Sequence, residues 1–103
     1  PNAPAVANAL ARYLATCPQD QLRDDKLAVS LAYQAVRSTG RKVPEYLDTL
    51  AAAYAEQGNF TDAAKTATEA MILASKQGRD QYVTEMSVRA KLYEAGKPYR
   101  EKP

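Results

Sequence analysis

Few side chains in this sequence are of a type and spacing that could do chemistry. Histidine is absent, which removes the commonest general base and the commonest metal ligand together. Two pairs of carboxylates remain, Asp24 with Asp25 and Glu45 with Asp48. Paired carboxylates do acid–base work when a desolvated pocket drives their pKa values apart. Both pairs fall where helices are expected to start, and there a wet carboxylate is stabilised by the positive end of the helix dipole. Cys17 is the one cysteine, so no internal disulfide forms, and it reads as a small buried hydrophobe rather than a reactive thiol. With no histidine and one cysteine, a zinc site would have to be almost wholly carboxylate. We therefore expect no catalytic residue, no metal, no cofactor and no enzymatic activity.

The basic residues Arg37, Arg41, Lys42, Lys76 and Arg79 offer a second kind of chemistry, a ledge for phosphate or RNA. Cations near helix C-termini are also simply stabilising there, by a few tenths to about 1 kcal/mol each. Glu45, Asp48 and Asp80 would dilute such a ledge, and a net charge of +2 is too small to argue for a nucleic-acid partner. No apolar run of about 18 residues exists, so no membrane insertion is expected. The opening PNAPAVANALARYLATC lacks the basic start and apolar run of a signal peptide, and without an initiating Met the chain is expected to be a fragment or a processed product. Among the tyrosines, Tyr54 faces a core by its spacing. Tyr13, Tyr33 and Tyr46 fall off or beside the apolar stripes, where packing between helices explains them as well as partner contact would.

The elements that position these groups are helical. The chain has 103 residues, of which 46% are hydrophobic and 25% charged, the balance of a globular domain with a modest core. Alanine supplies 20 of them, which favours helix and lets helix axes approach closely. Pro44 suits a first helical turn, and Leu47, Leu50, Ala51 and Tyr54 then make one stripe of a helix. Gly58 closes it, and Asn59 caps a second helix striped by Phe60, Ala63, Ala64, Ala67, Ala70, Met71 and Ala74. So short a turn makes the pair antiparallel. Glycines at 40, 58, 78 and 96 punctuate four helices of similar length. Earlier, Pro4 opens a helix striped by Ala7, Leu10, Ala11 and Leu14, Pro18 stops it, and a longer polar turn over 18–23 follows. Ala28, Ala32 and Ala35 then match Ala63, Ala67 and Ala70 at an offset of 35, so the two hairpins are repeats. After Gly78, Asp80 can cap a last helix bearing Tyr82, Val83, Met86, Ala90 and Tyr93 on one side and Glu85, Arg89, Lys91 and Glu94 elsewhere. The helices are predicted near 5–16, 24–38, 44–57, 60–77 and 80–95.

Leu47-x-x-Leu50-Ala51-x-x-Tyr54, Gly58-Asn59-Phe60, Ala63 and Ala70 resemble one tetratricopeptide repeat, a helix–turn–helix unit of about 34 residues. Leu47 stands where that family often has Trp, Ala51 where it usually has Gly, Ala67 where a large aromatic is usual, and Ser75 at the closing Pro. LATCP, LRDDK, YLDTLAAAYAEQGNF and YEAGKPYRE are similar to repeat segments at the C-terminal ends of large bacterial proteins, over almost the whole chain.

The resemblance implies an all-α fold, a right-handed α-solenoid of two such repeats plus a C-terminal capping helix. The helical domain would span 1–96, with hairpins over 5–39 and 44–78 and the cap over 80–95, followed by a short polar tail over 97–103. It also implies a non-catalytic protein–protein interaction module, the terminal part of a larger protein, whose first-type helices line a shallow concave groove for a protein or peptide. Carried over one at a time, the groove residues are Asn8, Arg12 and Ala15, then Asp48, Ala52 and Ala55, then Thr84, Val88 and Lys91. Arg12, Asp48 and Ala52 are expected to stand exposed side by side. A clamp for a terminal carboxylate is not expected, because only Asn8 and Arg12 suit one while Asp48 opposes it and Thr49 and Glu85 occupy later places. The alternative is a structural spacer or self-association module, pairing through the face of the first helix.

Overall fold

Five α-helices form where the apolar stripes recur: α1 (Ala3–Thr16), α2 (Asp25–Ser38), α3 (Pro44–Glu56), α4 (Phe60–Lys76) and α5 (Asp80–Glu94), with one 3-10 turn at Asp20–Leu22. The computed structural model describes residues 3–101, and no strand occurs among them. Pro1, Asn2, Lys102 and Pro103, which the expected domain and tail include, lie outside the described residues. No described helix is long and apolar enough to cross a membrane.

The punctuation reads directly from local chemistry. Asp24 Oδ1 accepts the Leu27 N–H at 3.1 Å and Asn59 Oδ1 accepts that of Asp62 at 3.2 Å, each satisfying an otherwise orphaned donor. Four helices end alike: the N–H groups of Arg41, Asn59, Arg79 and Lys97 reach back to the carbonyls of Val36, Tyr54, Ala74 and Leu92 at 2.9–3.0 Å. That closure forces the residue just before each donor into the left-handed region, and at Gly58 φ is +84°. Asp80 does not cap α5 as expected. Arg79 holds the cap position without a side-chain bond, and Asp80 sits one step inside, in the first turn.

Packing follows chain order. α1 lies against α2 and α3, α2 against α3, α3 against α4, and α4 against α5. Alanine makes this close approach workable: Ala28, Ala32 and Ala35, with Ala63, Ala67 and Ala70 at the same offset of 35, are all at most 1% exposed. Leu47, Leu50, Val36, Met86 and Tyr93 supply the bulk between them. The radius of gyration, 12.4 Å, sits near the roughly 13 Å of a compact chain of this length, so the helices close on one another rather than extend as a rod.

One stripe is phased differently from its expected place. On α1 the alanines Ala7, Ala11 and Ala15 turn inward, while Leu10 is 45% exposed and Leu14 half-buried. α2 and α3 take up the alanine side, which leaves Val6, Leu10 and Tyr13 together on the outer side.

Candidate functional site

The polar centre of the molecule lies between α1, α3 and α5, and it is built around Asp48. This carboxylate is 1% exposed. Its backbone comes from the middle of α3, three residues beyond Glu45 and one before Thr49. Arg89, from α5, grips it twice, Nε to Oδ1 at 3.0 Å and Nη2 to Oδ2 at 2.6 Å. The Tyr82 hydroxyl, two turns earlier on α5, donates to Oδ2 at 3.0 Å. Arg12, from α1, brings Nη1 to 3.5 Å from Oδ2 and donates to Thr49 Oγ1 at 3.2 Å. A buried charge is tolerated only when paired and hydrogen-bonded, and here every partner comes from a different turn of the fold.

The electrostatics of the group support one protonation pattern. Burial, and after it the Asp48 charge, push the Tyr82 hydroxyl well above its ordinary value, so it remains a donor. Burial alone would lower Arg89, but the hydrogen bond and charge of Asp48 more than offset it and raise the guanidinium further. Tyr93, behind this group, is likewise raised, chiefly by burial.

Over this floor opens a cavity of about 350 Å3, lined by Asn8, Arg12, Tyr82, Glu85, Arg89 and, from the far side, Tyr99 and Glu101. The last two belong to a segment that composition alone marked as a polar tail. Lys97–Glu101 instead folds back across the face of the three helices. The Tyr99 ring lies within reach of two guanidiniums, 5.7 Å from Arg12 and 5.1 Å from Arg89, each an attractive cation–ring contact. Glu101 Oε2 stands 3.4 Å from Arg12 Nη2, and the Glu101 N–H donates to the Thr16 carbonyl at 3.0 Å. Arg100 pairs with Glu56 at 2.8 Å on the opposite side.

Of the residues expected to line a groove, the fold brings Asn8, Arg12 and Asp48 to this cavity. Ala15, Ala52 and Ala55 do not join them: all three are buried, Ala15 and Ala52 between α1, α2 and α3 and Ala55 against α4. Asp48 is likewise buried rather than exposed beside Arg12. The alanine stripe of α3 is wide enough to be covered from both sides, which leaves the polar row of Glu45, Asp48 and Thr49 facing the cavity. Thr84, Val88 and Lys91 are exposed but stand outside the lining. α5 presents Tyr82, Glu85 and Arg89 there instead. Its register is set by Met86, Ala90 and Tyr93, which are buried and turn the neighbouring row of the helix toward α3.

Arg89, Tyr82, Thr49, Tyr99 and Glu101 were not singled out from the sequence as site residues. A signal existed for one of them. Asp48 and Tyr82 lie 34 residues apart, as do Glu45 and Arg79, close to the repeat offset. Polar residues one repeat apart are candidates for direct contact. Nothing in the spacing of Lys97–Glu101 marks its return. Two of the five residues of the basic ledge are paired with carboxylates: Arg41 bonds Glu69 through Nε at 2.8 Å, and Arg79 bonds Glu45 while lying over Tyr82. Among the described residues no group of three or more His, Cys, Asp or Glu side chains comes together as a metal site.

No protein-family model, curated protein sequence or solved structure matches the chain.

Proposed function

We propose that this chain is a non-catalytic protein–protein interaction module, and that a partner lays a peptide segment in the groove between α1, α3 and α5. The helices are read as two tetratricopeptide-like repeats in a right-handed solenoid, with α5 as the cap. Side-chain bonds at separations of 33 to 35 residues support that reading: Arg23 to Glu56, Arg79 to Glu45, Tyr82 to Asp48 and Gln77 to Lys42. Stacked repeats place equivalent positions side by side and so generate such a series.

The observation that carries the functional reading is the lining of the cavity. Its arginines are paired with Asp48 on one side and meet the extended segment Lys97–Glu101 on the other, a contact of the kind a groove makes with a peptide. Asp48 serves here as the anchor that holds Arg12 and Arg89 in place, not as a reactive group. Display of random heptapeptides against the native chain tests this. Selected sequences should lose affinity about tenfold or more when Arg12→Glu removes a cation that a buried anchor had oriented. Selection that yields only sequences indifferent to Arg12→Glu would refute the groove.

A second reading, self-association, is favoured by Val6, Leu10 and Tyr13, exposed at 64%, 45% and 51% along one side of α1. Sedimentation of the native chain separates the two: a concentration-dependent dimer that Leu10→Lys abolishes would favour this alternative.

A further inference from the structure

The segment Lys97–Glu101 touches the groove as a ligand would, and that shows what the groove is built to take. We propose that this segment is a resident ligand, and that the external partner is an extended chain carrying an aromatic ring followed two residues later by a carboxylate, which must displace it. The inference rests on the groove reading above and adds the class of ligand and the means of control.

Three features of the contact support it. The first is geometry. One backbone bond, Glu101 N–H to the Thr16 carbonyl, uses an acceptor left over at the end of α1, so any peptide backbone could make it. The second is side-chain recognition. The ring of Tyr99 lies within reach of both Arg12 and Arg89, and of these two arginines the carboxylate of Glu101 pairs with Arg12. Asp48 belongs to α3 and is already shared among Arg12, Arg89 and Tyr82. With the segment lifted, Arg12 and Arg89 share that one buried carboxylate and Arg12 loses its pair with Glu101, while Glu45 is taken by Arg79 and Glu85, on the cavity rim, pairs with neither arginine among the described residues. A ring lying against both arginines and one negative charge at Arg12 restore what was lost.

The third is the lightness of the hold. The Glu101 side chain keeps 45% of its exposure and that of Arg100 31%, and ion pairs this open contribute little after screening. Ordering the residues of an extended segment opposes them with a comparable loss of chain entropy. The Tyr99 ring, packed against the cluster of Ala90 and Tyr93 and lying by two guanidiniums, supplies the rest of the hold, so a partner must replace that ring to displace the segment. Because the segment is tethered, its local concentration still gives it an advantage over any partner of equal intrinsic affinity.

The probe is the peptide KPYREKP, acetylated and amidated so that neither terminus adds charge. It is titrated into the isotope-labelled native chain and into the full-length Tyr99→Ala/Glu101→Ala variant, and followed by amide shifts. A control peptide carries alanine at the tyrosine and glutamate. We expect the amide of residue 101 to be protected from exchange in the native chain and unprotected in the variant. The peptide should bind the variant about tenfold or more tightly than the native chain, since the tethered competitor is gone. The shifts should centre on Arg12 and Arg89 and vanish with the control peptide, and Arg12→Met in the variant should abolish binding while keeping the packing of the stem.

A Glu101 amide that exchanges in the native chain as fast as in the peptide would overturn the resident ligand. It would leave the groove itself, tested with unbiased peptides, standing. Equal binding of the peptide to native chain and variant would overturn the competition. Equal binding of probe and control peptides would overturn the ring-and-carboxylate pairing.

Discussion

Replacing Asp48 with alanine removes the one carboxylate buried between two arginines, and the consequence can be worked out from its surroundings. The Asp48 side chain is 2% exposed and that of Arg89 10%, so Arg89 would keep its burial and lose its two strongest bonds. Removing one partner of a buried pair costs about 3–5 kcal/mol, because the remaining charge is left uncompensated. Arg12 adds little, since its side chain is 24% exposed and water can reach it. Tyr82 loses an acceptor in a half-buried setting, a further cost of roughly 1 kcal/mol. A domain of this kind holds about 5–15 kcal/mol in all, so the variant should be close to unfolding at room temperature. Urea denaturation followed by helical circular dichroism reads this directly. At roughly 2 kcal/mol per molar urea, the midpoint should fall by about 2–3 M. The paired variant Asp48→Leu/Arg89→Leu leaves no buried charge and should recover most of the loss. A midpoint for Asp48→Ala within a few tenths molar of the native value would refute the reasoning, as would a double variant less stable than either single one.

Further predictions follow from the packing and the helix ends. Ala63→Leu, at a position with no exposure where α4 meets α3, should cost about 1–3 kcal/mol by overfilling the contact, read as a lowered urea midpoint. Gly58→Ala should cost roughly 1–2 kcal/mol although no atom lies within 4 Å of the added methyl, because φ of +84° is strained for any L side chain. Hydrogen bonds from Arg79 to Glu45 and from Arg41 to Glu69 lower both carboxyls below their ordinary 4.5. A lowered pKa gives stability that is full above the ordinary value and lost as pH falls through the lowered one. Melting temperature should therefore drop on the acid side of about pH 4.5, and Glu45→Gln/Glu69→Gln should flatten that drop without changing its neutral slope.

The sequence carried the helices because each boundary is a local event. Pro44 at a first turn, Asn59 as a cap, Asp24 and Asp25 at a helix start and glycine in the left-handed closures need no tertiary partner to be read. The alanine series at an offset of 35 carried the hairpin packing, because only small residues recur there and all are buried. The phase of α1 was harder. Leu10 and Ala11 are adjacent, and which of them turns inward depends on where α3 sits, which periodicity within α1 does not contain.

The site was legible only in part, for the same reason. Asn8, Arg12 and Asp48 were reached by their places on first-type helices. Ala15, Ala52 and Ala55 followed the same rule and proved to be packing residues, since a stripe of alanines does not reveal which edge is covered. Arg89 reads as a surface cation on α5 until Asp48 is known to face it. The return of Lys97–Glu101 depends on contacts made across the whole chain, to α1, α3 and α5, and a short polar stretch with prolines shows nothing of that in itself.

The central claim, that partners dock in the groove between α1, α3 and α5, is tested most directly by a hydrogen-exchange footprint of the native chain with a heptapeptide selected from an unbiased library. The account predicts slowed exchange over the C-terminal half of α1 and the Arg89 turn of α5, released amides over 97–101, and loss of the whole pattern in Arg12→Glu. Protection confined to Arg37–Lys42 and the end of α4, or to the Val6–Tyr13 side of α1, with 97–101 unchanged, would contradict it.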